Sequence, residues 1–264
     1  MDVAQVREDL LQEQLALDPI VAGLSDEQWR LPTPSPRWSI ADQIGHLTYF
    51  DESAAIAIRN PEKFTSLVKE LMENLDANSV DDFSLVTYRE MTSEELLASW
   101  RQGRTNLALA AETLDNEDRV LWYGPSMGSK SFLTARLMEV WAHGQDILDA
   151  LNLDRASTDR LGHIAQLGFI TRKWAYINRG LTPNDEPVYV SLTSPSGEVW
   201  DFGSPQEGNQ IIGSAVDLLK EIRIISGINA RKYETPLFMV VEFNQISKMI
   251  DEFKNKFELK GFKN

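Results

Sequence analysis

Glu139 and His143 stand four residues apart in EVWAHGQDI, inside a segment, SFLTARLMEVWAHGQDILDAL, that is otherwise almost uncharged. On a helix, residues at that spacing lie one above the other on the same face. A carboxylate and an imidazole so placed can ligate one divalent cation, for the same reason that the ligands of HExxH proteins share a helix. His46, in QIGHLTYF, is a third donor if its helix packs beside the first. The resulting two-nitrogen, one-oxygen set suits a divalent transition metal, and three protein ligands leave coordination positions open, as in catalytic rather than structural sites. A plainer reading stands beside this one. Arg136, Glu139, His143 and Asp146 form a polar row at i, i+3, i+7 and i+10, and spacing alone favours the solvent face of an amphipathic helix. His46, with Ile44 and Leu47 for neighbours, reads equally as a hydrogen-bonded core residue.

Other chemistries lack their residues. The chain has no cysteine, so disulfides, zinc–thiolate sites and a cysteine nucleophile are excluded, and any thiol chemistry must use a thiol taken from solution. No Gly-rich dinucleotide fingerprint occurs, and GPSMGSK misses the GxxxxGK[ST] spacing of a P-loop. A formal net charge of −14, with no Lys/Arg-rich stripe, repels phosphate backbones and anionic lipid. A small molecule is therefore the expected partner, with neither nucleic acid nor membrane. The stretch MDVAQVREDLLQEQ is acidic and amphipathic rather than basic and then apolar, so a cytoplasmic location is expected. Oligomeric state is left open.

Long helices must position these residues. Val6, Leu10, Leu17, Val21 and Leu24 recur at helical spacing and predict a first helix. Three prolines in LPTPSPRW then break the chain. Ser39 caps a second helix, IADQIGHLTYFDESAAIAIRN, ending at Asn60-Pro61, and 61–78 reads as an amphipathic excursion ending in a loop. Thr92 or Ser93 with Glu95 opens a third helix, whose apolar row includes Leu96, Trp100 and Leu107. The loop WYGPSMGSK leads to a fourth helix over 131–151, and a fifth is predicted over 157–178. Helices of this length joined by loops imply an antiparallel bundle. The period then changes: PVYVSLTSPSGEVWDFG alternates around Ser-Pro-Ser-Gly and predicts a β-hairpin, while GSAVDLLKEIRII and FNQISKMIDEFKNKF read as helices. The expected fold is mainly α, with a helical bundle over 1–180 and a small α+β unit over 181–264. Trp29, Trp38, Trp141 and Trp174 are core candidates that could also wall a pocket.

The stretches WRLPTPSPRWSIADQIGHLTYFDESAA, ARLMEVWAHGQDILDAL, LGFITRKWAYINRGL and VSLTSPSGEVWDFG, in that order, resemble the DinB/YfiT-like superfamily. Within it they resemble the branch of mycothiol-dependent maleylpyruvate isomerase and its metal-binding relatives, over about residues 1–220. The resemblance implies a DinB-like antiparallel four-helix bundle with a divalent metal, zinc ahead of nickel, on His46, Glu139 and His143. That His, Glu, His pattern belongs to this branch, where most DinB-like proteins use three histidines. It also turns the polar row inward. In the isomerase an arginine of the C-terminal domain helps hold the substrate carboxylates, which makes Arg223 and Arg231 the substrate-binding candidates here. Asp42 and Asp146 are candidates to orient the imidazoles, because ligating histidines usually donate their other N–H to such groups. His163 falls outside the pattern and reads as a surface or hydrogen-bonded histidine.

The function this implies is a metal-dependent enzyme that activates mycothiol or another low-molecular-weight thiol, or a water, and acts as an isomerase or S-transferase. The alternative is a non-catalytic metal- or ligand-binding protein of the same fold. Its C-terminal unit resembles sterol-carrier-like α+β modules, which could take an apolar ligand.

Overall fold

Helix starts in this chain are written as caps. In the computed structural model, which describes residues 2–74, 80–177, 180, 182–183, 185–206, 208–220 and 258–260, Asp2 caps α1 (Val3–Ala22) by accepting the Ala4 N–H. Capping boxes open α2 (Asp26–Trp29) at Ser25/Gln28 and α3 (Ile40–Arg59) at Ser39/Asp42. After α4 (Pro61–Asn74) and α5 (Val80–Arg89), a third box, Thr92/Glu95, opens α6 (Ser93–Ala111). In each box the cap hydroxyl and the N3 side chain satisfy each other's backbone N–H groups, two donors that a helix start otherwise leaves unpaired. A short antiparallel pair, β1 (Arg119–Val120) and β2 (Met127–Gly128), closes the WYGPS loop before α7 (Ser129–Leu151). Helix α7 starts without a side-chain cap at Gly128. Instead the Ser129 N–H donates to Asp118 C=O at 2.9 Å and its hydroxyl to Asp115 C=O at 2.6 Å.

The four long helices form a bundle: α3 lies against α6 and α7, and α1 packs against the same two helices. Ile44, Leu47, Trp100, Leu107, Leu133 and Leu137 are among the fully buried side chains. Each such aliphatic residue contributes about 1.5–3 kcal/mol by leaving water. Helix α5 falls beyond the 61–78 excursion, and no sequence pattern singled it out. It sits on α3 because Gly45 lets it approach: a Cβ there would meet Tyr88 Cβ at 3.0 Å. Tyr88 then donates to Glu52 at 3.1 Å and Arg89 to Asp42 at 2.7 Å.

The described chain divides into two compact units, one from Met1 to Arg155 and one from Ala156 onward. In the second, the stretch 157–178 is two helices rather than the single one expected, α8 (Leu161–Ile170) and α9 (Arg172–Ile177). They are separated at Thr171, the C-cap of α8, whose hydroxyl donates to the Leu167 carbonyl at 2.7 Å. The hairpin is present as β3 (Tyr189–Thr193) and β4 (Val199–Phe202), turned by Gly197 at φ +92°, where an L side chain would be strained. The sheet extends beyond the hairpin. β5 (Gln210–Ser214) pairs parallel with β3, and β6 (Glu258–Lys260) antiparallel with β5, giving the order β4-β3-β5-β6. Gly213 and Ser214, expected to start a helix, therefore end a strand, and helix covers 215–220. The stretch FNQISKMIDEFKNKF lies outside the described residues, as do Arg223 and Arg231. No described helix is long and apolar enough to cross a membrane.

Candidate metal centre

Helix α7 presents Glu139 and His143 one turn apart, and the packing of α3 on α7 brings His46 to them. The meeting point is one oxygen. Glu139 Oε2 lies 3.0 Å from His46 Nε2 and 3.1 Å from His143 Nε2. A ligand atom from each of the three residues lies within 4.8 Å of the others. His46 and Glu139 are buried and His143 nearly so. Trp38 lies 5.1 Å from the His46 ring and stacks on His143 at 5.8 Å, while Phe50 packs on His46 at 4.6 Å.

The polar row of α7 faces inward, so the solvent-face reading fails. Arg136, Glu139 and Asp146 are 2%, 4% and 7% exposed. A helix apolar around its whole circumference is a buried helix, and on α7 Phe132, Leu133, Leu137, Val140 and Trp141 are buried as well. The polar row is then confined to the interior, where each member needs a partner. Arg136 pairs with Asp51 at 3.1 Å, and Asp51 also accepts from Gln14 at 3.1 Å, tying α7, α3 and α1 together.

The two aspartates singled out from sequence have different fates. Asp42 belongs to the α3 cap and to Arg89. Asp146 is linked to His143 by a residue that sequence reasoning missed, Gln43. The Gln43 carbonyl oxygen faces His143 Nδ1, while its amide donates to Asp146 Oδ2 at 3.2 Å and to Thr33 Oγ1 at 2.8 Å. Ser35 donates to the same Asp146 oxygen at 2.6 Å. Gln43 stands three residues before His46, a same-face spacing on α3 that was the available signal. The proline-rich LPTPSPRW stretch folds back through Thr33 N–H to Trp38 C=O at 2.9 Å, and so supplies Thr33, Ser35 and Trp38 to the centre. Of the four tryptophans proposed as walls, Trp38 flanks the histidines; Trp29 and Trp141 are buried core. Trp174 and His163 lie on α9 and α8 of the second unit.

Burial and the neighbouring His143 push the His46 imidazole down to about 4 against the pull of Glu139, which keeps it neutral, the form that binds a cation. A histidine lowered on folding takes its proton more readily when unfolded, so the folded state loses stability as pH falls. Chelator-treated protein is therefore expected to lose on the order of 3 kcal/mol between about pH 6.5 and about pH 4, less in a His46→Gln variant. Urea midpoints across that range measure it. A profile equally steep in both proteins would remove His46 as the cause.

Comparison with known proteins gives the family. Residues 10–148 match the family described as the mycothiol maleylpyruvate isomerase N-terminal domain. The chain belongs to this family. An uncharacterised protein of Mycobacterium tuberculosis, found in two strains, is 41% identical over 209 residues, covering 79% of this chain and 80% of that one. Crystal structures of mycothiol-dependent maleylpyruvate isomerase and of a histidine-to-alanine mutant of it share the fold, with TM-scores of 0.54 and 0.55. Both are 14% identical, covering 83% of this chain and 88% of theirs. His46, Glu139 and His143 fit a divalent cation on the chemistry of their donors, since two imidazole nitrogens converge on one buried carboxylate oxygen. Within the maleylpyruvate isomerase-like family, this is a His, Glu, His cluster able to hold a metal ion.

Proposed function

We propose that the chain is a metal-dependent enzyme that activates a low-molecular-weight thiol, of isomerase or S-transferase type, with His46, Glu139 and His143 as the ligands. One observation carries the reading: imidazole nitrogens from two helices meet a single carboxylate oxygen in a chain with no cysteine of its own. A divalent cation held there, zinc ahead of nickel, makes a thiol or water ionise near neutral pH and so supplies a nucleophile. Glu139 brings one negative charge to the site, leaving a net attraction for an anionic thiolate. Trp38 and Phe50 screen the imidazoles from water, which strengthens that attraction. Arg223 and Arg231 are the proposed partners for substrate carboxylates. The family's description names mycothiol and maleylpyruvate, which makes them the first thiol and the first electrophile to test.

A thiol of pKa about 8.5 is only about 3% thiolate at pH 7, so full ionisation alone raises the reactive population roughly thirtyfold. Zinc-loaded protein is expected to speed reaction of mycothiol, bacillithiol or glutathione with maleylpyruvate by at least about tenfold over buffer. The Glu139→Gln variant is expected at the buffer rate. Equal rates for wild type, variant and buffer across the panel would overturn the thiol reading in favour of a non-catalytic binding protein.

A further inference from the structure

We propose that Gln43, oriented by Asp146, sets the tautomer of His143 and so turns the bare Nε2 of that ring toward the Glu139 oxygen. The assignment rests on the reading of His46, Glu139 and His143 as a cation site, and follows from donors and acceptors alone. A carboxylate only accepts hydrogen bonds, so the Gln43 group facing Asp146 Oδ2 is its amide nitrogen. The Gln43 carbonyl oxygen is thereby the atom facing His143 Nδ1. A carbonyl oxygen also only accepts, so Nδ1 carries the ring hydrogen. A neutral imidazole has one N–H, and Nε2 is left with its lone pair pointing at Glu139 Oε2, 3.1 Å away.

Two acceptors facing each other at that distance repel unless a cation stands between them. Without Gln43 the Glu139 carboxylate would draw the ring hydrogen to Nε2 and fill the position meant for the metal. Gln43 is placed to prevent this: it is fully buried, and its amide is held by both Thr33 and Asp146, with Asp146 pinned in turn by Ser35. The chain Ser35, Asp146, Gln43, His143 thus runs from the proline-rich loop to the ligand. Gln43 is a positioning residue, acting on the cation only through His143.

The test reads the tautomer directly. Long-range proton–nitrogen correlation spectra of chelator-treated, nitrogen-15-labelled protein, at about pH 8 where histidines are neutral, resolve the rings of a chain with three histidines. Wild type is expected to carry the His143 hydrogen on Nδ1, and Gln43→Ala to carry it on Nε2, with zinc affinity about 10–100-fold weaker. Gln43→Met, which keeps the volume and lacks an acceptor oxygen, gives the same readout should the alanine variant not fold. The double variant Gln43→Glu with Asp146→Asn exchanges carboxylate and amide yet keeps an acceptor on Nδ1, and is expected to restore both tautomer and affinity. A His143 hydrogen on Nε2 in wild type, or one that stays on Nδ1 in both single variants, would overturn the assignment even if zinc binding weakened. Zinc titration of wild type separately decides the cation site: a protein with the Nδ1 hydrogen that refuses zinc removes the site and leaves the tautomer standing.

Discussion

The His143→Ala variant is expected to lose its divalent cation and keep its helices. Structural zinc sites with four ligands bind with about 10–16 kcal/mol, so one ligand accounts for roughly 2.5–4 kcal/mol, or about 70- to 900-fold in affinity. The loss falls on the cation alone because the bundle is held by packing. Ile44 and Leu47 beside His46, and Leu137 and Val140 beside Glu139, are fully buried without help from a metal. A zinc finger behaves oppositely and unfolds when its metal leaves. Circular dichroism with a competitive zinc titration separates the cases. An unchanged affinity would remove His143 as a ligand, and loss of the helical signal would make the centre a structural one.

The second large effect is expected where the bundle carries a buried charge pair. Asp51 is wholly buried and the Arg136 side chain is 3% exposed. Burial raises the Asp51 carboxyl, against the pull of Arg136 beside it. Removing one partner of such a pair strands the other charge in the core, which costs about 3–5 kcal/mol. Asp51→Ala is expected to show that loss in urea unfolding, and Asp51→Asn a smaller one, because the amide oxygen still accepts from Arg136. The damage should reach the metal centre as well. Arg136 lies 5.8 Å over the Phe50 ring, and Phe50 packs on His46, so a displaced guanidinium disturbs the wall of the site. A cost below about 1 kcal/mol for Asp51→Ala would mean that water reaches the pair, as at a surface ion pair.

Local signals were legible where the physics is local. Ser39, and Thr92 or Ser93 with Glu95, mark helix starts because a cap is closed by residues within three of one another, and the caps form at Ser39 and Thr92. The hairpin around Ser-Pro-Ser-Gly was legible for the same reason, since one Gly at positive φ and the flanking alternation define it. Strand β5 was not, because its pairing partner β3 is about twenty residues away and a parallel ladder leaves no turn to announce it. The docking of α5 at Gly45 was equally hidden, being settled by an interhelical approach.

The candidate centre divides along the same line. His46, Glu139 and His143 could be named from residue types, spacing and resemblance, because two of them share one helical turn. Whether their row faced water or core could not be read from spacing, since the period of an inward polar row equals that of an outward one. Helix packing decided it, by burying the row on α7 and bringing partners for it from α3 and the proline-rich loop. Gln43 offered its spacing from His46 as a signal, but its role was beyond reach for a stronger reason. Its function lies in which end of an amide meets His143, and that is set by Thr33, Ser35 and Asp146, three residues that come together only when the proline-rich loop, α3 and α7 are in place.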